Sequence, residues 1–334
     1  MQIVGHQKQL KLLQGFLKNS LFFSSYLFWG LSSTGKKQVA QEFVKGLLCQ
    51  KSVFGGCGKC LACVDLRCAG GFGKASVSKR DFLFIDESFL PSLIIDSDDD
   101  KAYGIDTSRA VIKFLSTGPS VAQRKVVLID NAHSLTQEAQ NSLLKIIEEP
   151  PSNAVIILIS HKPSFLYDTI LSRTLQVYFP IIGQAEIYEW ITSQHRMMEK
   201  EAQEISKFSL GRPGRAHAFL QDRKLLSQFK RAVIQLLSFE GKTSGQKVIL
   251  LKNFLESDSD LSDNLGLWQG VLRDELLFSC GFEDLAGVLS QKRRARTPEL
   301  IKSLKKLLSL SDLSDSFPAT AEAAFKQMVL SKSL

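Results

Sequence analysis

The sequence lacks the features of a membrane protein or of a secreted one. No uninterrupted apolar stretch reaches the eighteen or so residues that a membrane-spanning helix needs. The first residues, 1–5, contain neither the basic segment nor the apolar segment of a signal peptide. No internal repeat is evident along the chain. We therefore expect a cytoplasmic protein that does not enter a membrane.

Composition and charge set the broad class of the protein. Of the 334 residues, 44% are hydrophobic, which excludes wholesale disorder. A chain of this length exceeds one ordinary hydrophobic core, so two or three domains are expected. The 42 Lys and Arg residues outnumber the 34 Asp and Glu residues, giving a net charge of +8. This excess is common among soluble proteins and also fits a partner that carries phosphates.

A strand, a helix and a second strand follow one another in the middle of the chain. Residues 125–129 are an apolar run that ends in Asp130, and residues 154–160 are another apolar run. Between them, residues 141–149 have apolar and polar side chains on opposite helical faces, and two prolines then stop the helix. Open α/β sheets bind ligands at the carboxyl ends of such strands, so Asp130 marks a candidate nucleotide site.

Other segments extend this α/β pattern and then replace it with helices. The apolar spacing predicts helices over 5–18 and 38–48 and a strand over 22–29. Residues 88–104 carry several aspartates, and we expect an exposed acidic loop there; the alternative is a cation site. Beyond residue 180 the pattern contains helices only, which marks a domain boundary near that position.

Residues 30–37, Gly-Leu-Ser-Ser-Thr-Gly-Lys-Lys, form most of a phosphate-binding loop. Such a loop needs glycines so that backbone N–H groups converge on the anion, a Lys for the terminal phosphates, and a hydroxyl for Mg²⁺. Lys37 stands where the hydroxyl is needed, so Mg²⁺ would meet repulsion. Hydrolysis with a metal is therefore not expected; the alternative is slow turnover supported by Ser32, Ser33 or Asp130 alone. The candidate nucleotide-binding residues are Gly30, Ser33, Thr34, Gly35, Lys36, Lys37 and Asp130.

Four cysteines predict a metal site. Their close Cys-x-x-Cys steps allow four thiolates to converge on one tetrahedral ion. Because cytosolic thiols stay reduced, we expect zinc and not disulfides. Four thiolates leave no position for water, so the zinc is expected to be structural, in a Gly- and Cys-rich segment with no apolar core. Cys68 could compete with Cys49, and Cys280 is expected to be a buried small hydrophobe. The candidate ligands are Cys49, Cys57, Cys60 and Cys63.

The order of these motifs resembles the clamp-loader branch of the AAA+ ATPases, and within it the bacterial DNA polymerase III delta-prime and gamma/tau subunits. The residues that carry the resemblance are Tyr-Leu-Phe-Trp-Gly at 26–30, the loop, the four cysteines, Asn-Ser-Leu-Leu-Lys at 141–145, Glu-Glu-Pro-Pro at 148–151 and Ser-Arg at 172–173. The last third of the chain has no such signature.

The resemblance implies a fold of the α/β plus all-α class in three parts. An AAA+ P-loop parallel-sheet domain is expected over residues 1–179, with a zinc module inserted at 49–68. A small helical lid domain is expected over 180–218. A C-terminal helical collar domain, which would hold neighbouring subunits in a ring, is expected over 219–334.

The resemblance also assigns roles to single residues. AAA+ ATPases have Asp-Glu where this chain has Asp130-Asn131, and an amide cannot act as a general base at neutral pH. Ser160 falls at the polar sensor-1 position and joins the candidate nucleotide site. Arg173 matches the Arg of the Ser-Arg-Cys motif, which is the finger inserted into a neighbour's ATP site. The alternative for Arg173 is an ordinary solvated arginine. Gly214 stands where gamma-type subunits have a sensor-2 Arg, a difference typical of delta-prime.

The implied function is that of a delta-prime-like stator in the DNA polymerase III holoenzyme, which helps load the sliding clamp onto primed DNA. The expected partners are gamma/tau and delta subunits in a hetero-oligomeric ring, with the clamp and primed DNA reached through the complex. We expect no intrinsic catalysis, and ATP bound weakly or not at all. One alternative is a divergent gamma/tau subunit that hydrolyses ATP. Another is a free-standing AAA+ ATPase that acts on DNA junctions.

Overall fold

A computed structural model describes residues 3–68, 80–86, 94–97, 100–195, 197–237 and 301–307, with a few single or paired residues between 269 and 309. The chain divides into two compact units, Met1–Ile181 and Ile182–Leu334. None of the helices in the described part is long and apolar enough to cross a membrane. The predicted borders of the lid and collar domains stay predictions, and Cys280 lies outside the described residues.

The first unit is built on a parallel sheet. The described part of this unit contains seven strands, which in chain order are β1 (Ser25–Trp29), β2 (Phe82–Ile85), β3 (Ile94–Ser97), β4 (Asp100–Tyr103), β5 (Lys125–Ile129), β6 (Ala154–Ser160) and β7 (Leu175–Tyr178). Five of them form one sheet in the order β2-β5-β6-β1-β7, and every pairing in it is parallel. The carboxyl ends of these strands therefore meet at one edge. This sheet confirms the AAA+ parallel-sheet class that the sequence predicts.

Helices cover both faces of the sheet, as a buried parallel sheet requires. In the first unit they are α1 (Gln7–Lys18), α2 (Lys36–Leu48), α3 (Leu61–Cys68), α4 (Ile105–Leu115), α5 (Gln137–Glu148) and α6 (Asp168–Arg173). Val39 and Phe43 of α2 pack with one face of the sheet, and Leu143 and Ile147 of α5 pack with the other. Helix α5 begins at the N-cap Thr136, whose side chain accepts a hydrogen bond from the Ala139 N–H.

The prediction of an acidic loop over residues 88–104 is wrong for its described part. Strands β3 and β4 pair antiparallel, with Ile94 opposite Tyr103. Tyr103 is fully buried, and its carbonyl accepts a hydrogen bond from the Thr136 N–H at the start of α5. A hairpin anchored in this way adds β structure where the aspartates suggested a solvated loop.

Helices are the only regular secondary structure among the described residues of the second unit. It contains α7 (Gln184–Gln194), α8 (Glu199–Phe208), α9 (Pro213–Gln221) and α10 (Arg223–Leu237). Ile187, Ile191, Ile205 and Phe219 are among its buried apolar side chains. The change from strands and helices to helices alone, which the sequence predicts beyond residue 180, is confirmed for these residues.

Candidate functional site

The phosphate loop connects β1 to α2 at the carboxyl edge of the sheet. Gly30 has a φ of 144°, and a Cβ at this position would lie 2.3 Å from the carbonyl oxygen of Phe179. Only glycine fits there. Ser33 and Gly35 also take left-handed conformations, with φ values of 59° and 97°. The loop therefore makes the tight turn into a helix N-terminus that its sequence predicts, with Ser33 exposed.

Lys36 is folded back into the loop. Its ammonium donates hydrogen bonds to the carbonyl oxygens of Gly30 and Leu31, at 2.8 and 2.6 Å, and the side chain is buried. Thr34, also buried, donates its hydroxyl to the Leu31 carbonyl at 3.0 Å. A phosphate chain bound here would have to draw the ammonium of Lys36 away from these carbonyls.

His6 is a loop contact that the sequence reasoning missed. Its Nε2 lies 2.7 Å from the carbonyl oxygen of Thr34, and its ring packs edge-on against Phe179 with centroids 5.1 Å apart. His6 immediately precedes α1, so it links the start of the chain to the loop. No sequence signal distinguishes it, because an isolated His before a helix is ordinarily a surface residue.

Lys37 forms ion pairs with two acids at the same edge. Its Nζ lies 2.9 Å from an oxygen of Asp130 and 3.6 Å from an oxygen of Asp86. Burial lowers the pKa of Lys37, but the attraction of Asp130 and then of Asp86 outweighs burial, so its pKa lies above the ordinary value. Asp86 follows the apolar strand β2 as Asp130 follows β5, and this repeated pattern is the signal that could have identified it.

Mg²⁺, which this fold class implies, does not fit the residues that are present. The ion needs oxygen ligands at about 2.0–2.1 Å in octahedral geometry. The hydroxyl position is held by Lys37, and the Asp130 carboxylate is already paired with the Lys37 ammonium. Asn131, with a φ of 50°, follows Asp130 and supplies an amide where a general base is needed.

Ser160 lies at the end of β6, beside Trp29 of β1. It is fully buried; its Oγ accepts a hydrogen bond from the Lys162 N–H at 3.0 Å and lies 3.4 Å from Nδ1 of His133. Burial, and then the charges of Lys162 and Lys36, lowers the pKa of His133 to about 4. At neutral pH His133 is therefore an uncharged ring, packed 4.1 Å from the ring of His161.

Arg173 lies in the last turn of α6 and is exposed. It donates a hydrogen bond to the Thr169 carbonyl at 3.2 Å, and its other terminal nitrogen lies 3.1 Å from a carboxylate oxygen of Glu148. The sequence predicts an accessible arginine but not its pairing with Glu148. Both residues belong to helix C-terminal turns, so an apolar pattern gives no information about their contact.

The four predicted cysteines come together. Their sulfur atoms all lie within 4.8 Å of one another. Cys49 caps the C-terminus of α2, Cys57 and Cys60 lie in the following loop, and Cys63 lies in the first turn of α3. Sulfurs around a tetrahedral zinc are separated by about 3.8 Å, given a Zn–S bond of ~2.3 Å. The cluster can therefore hold a metal ion with little adjustment. The side chain of Cys68 lies outside the described residues.

Backbone groups around the cluster favour thiolates. The Cys57 N–H donates to the Cys49 sulfur at 3.3 Å, and the Cys60 N–H donates to the Cys57 sulfur at 3.4 Å. Hydrogen bonds from the Lys59 and Cys60 backbone lower the pKa of Cys57 to about 6, whereas burial raises the pKa of Cys63 to about 12. The cluster thus favours a thiolate at Cys57 and a thiol at Cys63, and a bound cation would offset the repulsion among four thiolates.

Comparison with known proteins gives a consistent set of relatives. The family model described as DNA polymerase III, delta subunit, matches residues 5–182. The delta-prime subunit of DNA polymerase III from Pseudomonas aeruginosa is 33% identical over 50% of this chain and 46% of that protein. The tau/gamma subunit from Haemophilus influenzae is 30% identical over 58% of this chain and 25% of that protein. The match spans less than half the length of either relative.

A solved structure of a DNA polymerase III gamma subunit-related protein from Thermotoga maritima is also similar to this chain. It covers 96% of this chain and 97% of its own, at 19% identity and a TM-score of 0.48. This degree of likeness adds nothing to the fold assignment, which rests on the strand order and the parallel pairings described above.

Proposed function

The chain belongs to the family of DNA polymerase III delta subunits, and from this premise we propose that it is a clamp-loader subunit of the delta-prime type. Its work is to help load the sliding clamp onto primed DNA for the replicative polymerase. The family match over residues 5–182 carries this proposal, because it spans the sheet, the phosphate loop, the cysteine cluster and Arg173 together. Polymerase chemistry belongs to the holoenzyme.

The subunit acts as a stator without ATPase activity of its own. Two changes support this role: Lys37 replaces the metal-binding hydroxyl, and Asn131 replaces the base. The loss of either one would impair hydrolysis, and their coincidence favours a delta-prime role over a gamma role. Nucleotide binds weakly or not at all, since Lys36 is engaged with the loop carbonyls.

Arg173 acts in trans on the ATP of a neighbouring gamma-type subunit. Its exposed position at the end of α6 supports this role, since a planar cation can stabilise charge on a transferring phosphoryl group. The partners are gamma/tau and delta subunits in a ring, and the clamp and primed DNA are contacted through that ring.

The cysteine cluster holds one structural zinc. Four sulfur ligands suit zinc better than magnesium or calcium, which prefer oxygen. With four protein ligands, no coordination position remains for water or substrate. The metal would replace the apolar core that the segment between α2 and α3 lacks, and would fix the start of α3 against the end of α2.

A divergent gamma/tau subunit is the second candidate. The 30% identity with the tau/gamma subunit from Haemophilus influenzae favours it, as does the retention of Lys36. Lys37 and Asn131 argue against it for the reasons given above, and Gly214 stands at the sensor-2 arginine position. A free-standing ATPase acting on DNA junctions, the third candidate, would not assemble with the other loader subunits.

Two measurements on the full chain separate these candidates. The first is the ATPase rate of the isolated chain with Mg²⁺, with Lys36→Ala as the control. The stator is expected to give no turnover above that control, whereas rates of about 1 s⁻¹ that Lys36→Ala abolishes would establish an ATPase. The second is co-purification with gamma/tau and delta subunits. Failure to assemble would exclude both loader subunits.

A further inference from the structure

A single ammonium faces two carboxylates at the carboxyl edge of the sheet. Lys37 Nζ lies 2.9 Å from Asp130 and 3.6 Å from Asp86, and 5.0 Å from the centre of the Phe84 ring. The two acids follow neighbouring parallel strands, β5 and β2. The ring of Phe84 adds a cation–π contact to the same charge. Two carboxylates and one aromatic ring, each of which attracts a cation, thus surround the Lys37 ammonium.

Two carboxylates at the ends of adjacent strands are the kind of ligand set that divalent cations prefer. In ATPases of this class, a loop hydroxyl and a strand carboxylate hold Mg²⁺. In this chain, the residue at the hydroxyl position brings a positive charge to the same carboxylate. An ion coordinated by Asp130 would lie close to the Lys37 ammonium, and the repulsion between them opposes its entry.

We propose that Lys37 is a built-in cation that takes the place of the divalent metal between Asp86 and Asp130 and closes this edge of the sheet to Mg²⁺. The single positive charge of Lys37 offsets part of the negative charge of the two acids without metal. Lys37 therefore affects both metal ligands: it removes the hydroxyl of the loop, and its ammonium pairs with the Asp130 carboxylate that would be the other ligand. Replacing Lys37 with a hydroxyl should uncover a metal site.

The raised pKa of Lys37 supports the geometry, because the attraction of Asp130 and Asp86 outweighs the burial that disfavours the charge. The inference rests on the proposed absence of ATPase activity and gives it a physical cause. It depends neither on ring assembly nor on Arg173. A test on the isolated chain can therefore overturn it while the clamp-loader role stands.

The test is a titration of the zinc-loaded full chain with Mn²⁺ alone, with free Mn²⁺ followed by electron paramagnetic resonance. The proteins are the wild type, Asp130→Asn, Lys37→Thr, Lys37→Arg and the double variant Lys37→Thr/Asp130→Asn. The wild type, Asp130→Asn and Lys37→Arg should bind the same small amount of Mn²⁺. Lys37→Thr should gain one ion, bound at least tenfold more tightly than this background, and the double variant should lose it.

Two outcomes would overturn the proposal. If Asp130→Asn removes one Mn²⁺ from the wild type, the Lys37 ammonium moves aside for metal and does not replace it. If Lys37→Thr gains no ion, the two acids are not a latent metal site. Lys37→Gln, which also removes the charge and offers an amide oxygen, serves should Lys37→Thr fail to fold. As an independent readout, Mg²⁺ should raise the Tm of Lys37→Thr and leave the wild-type Tm unchanged.

Discussion

The guanidinium of Arg173 lies 3.1 Å from the carboxylate of Glu148. Both side chains are about two-fifths exposed, at 41% and 43%, and pairs of this kind contribute roughly 0–1 kcal/mol to stability. A contact this weak does not make Arg173 necessary for the stability of the fold. It instead leaves the guanidinium on the surface, where it can exchange one anion for another.

Arg173→Ala is expected to lower the DNA-stimulated ATPase rate of the reconstituted loader while the subunit still folds and assembles. The neighbour's transition state would lose a cation that contributes about a thousandfold or more at comparable sites. In a ring with several ATP sites, the measured loss is partial and confined to one interface. Arg173→Lys should not restore the rate, because an ammonium lacks the planar fork.

Glu148→Gln supplies the matched control for this prediction. It removes the partner within the chain and leaves the guanidinium in place, so the loader's ATPase rate should not fall. Glu149→Gln, at the adjacent exposed position, controls for the loss of a charge. If Arg173→Ala leaves ATPase and clamp loading at wild-type rates in a normally assembled complex, the trans-acting role is wrong.

Cys60→Ser is expected to release the metal from the cysteine cluster. Elemental analysis of the wild type, prepared with reductant and without chelator, should find about one zinc per chain. Cys60→Ser should contain no zinc. The segment from Cys49 to Cys63 should then become sensitive to protease, because the free energy of metal binding no longer stabilises its fold. Cys68→Ser is the control and should keep the zinc. A wild-type protein without zinc would contradict the assignment.

Much of the α/β domain could be predicted because its strands are buried on both faces. All the residues of β5 and β6 are buried, so apart from Lys125 and Ser160 at their ends each appears in the sequence as an unbroken apolar run. The cysteine cluster could be predicted for a different reason. Its ligands lie within fifteen residues of one another, from Cys49 to Cys63, so local spacing determines which sulfurs can meet.

The contacts that could not be predicted join residues far apart in sequence. Lys37 and Asp86 meet only because β2 pairs with β5, and Arg173 reaches Glu148 only because α6 lies against the end of α5. The β3–β4 hairpin was hidden for another reason: Asp96 and Asp100 are unusual strand residues, so composition favoured a loop. The spacing of apolar residues identifies which face of a helix or strand is buried. It does not identify which side chains from distant parts of the sequence contact that element.

The free energy of unfolding should decrease as the pH falls from about 6.5 to 4, because His133 stays neutral in the folded protein over this range. Its pKa in the folded state is lowered to about 4, so in this range the unfolded chain takes up a proton that the folded protein does not. Stability therefore rises with pH across the window, by about 3 kcal/mol at most, at ~1.36 kcal/mol per pKa unit.

The direct measurement for His133 is its NMR titration, which should show a neutral ring throughout the neutral range. His133→Gln should flatten the dependence of unfolding free energy on pH in that window. His161→Gln removes the ring that packs edge-on against His133 and retains His133 itself, so it should keep most of the slope. A His133 ring that titrates near its ordinary value of ~6.5 would contradict the prediction.

Asp81 immediately precedes β2 and is hydrogen-bonded to the segment that leads into β5. Its carboxylate is buried and accepts hydrogen bonds from the backbone N–H groups of Ser120, Val121 and Ala122, at 2.7, 2.6 and 2.7 Å. These bonds fix the segment that leads into β5 against the start of β2. Asp81→Asn replaces one acceptor oxygen with a donor that faces N–H groups, so it should cost about 1–3 kcal/mol of unfolding free energy.

The pH dependence of this effect has a definite sign. Burial raises the pKa of Asp81, but the hydrogen bonds from Ala122, Ser120 and Val121 outweigh it, so the pKa in the folded state lies below its ordinary value. The stabilisation is therefore complete above the unfolded pKa of ~3.9 and is lost as the pH falls through the lower folded value.

Urea unfolding of Asp81→Asn and the wild type should give a difference that is largest near neutral pH and shrinks below about pH 4. Asp106→Asn, at an exposed acid, should differ little from the wild type at any pH. An Asp81→Asn protein as stable as the wild type at pH 7 would mean that the carboxylate is not what holds residues 120–122 in place.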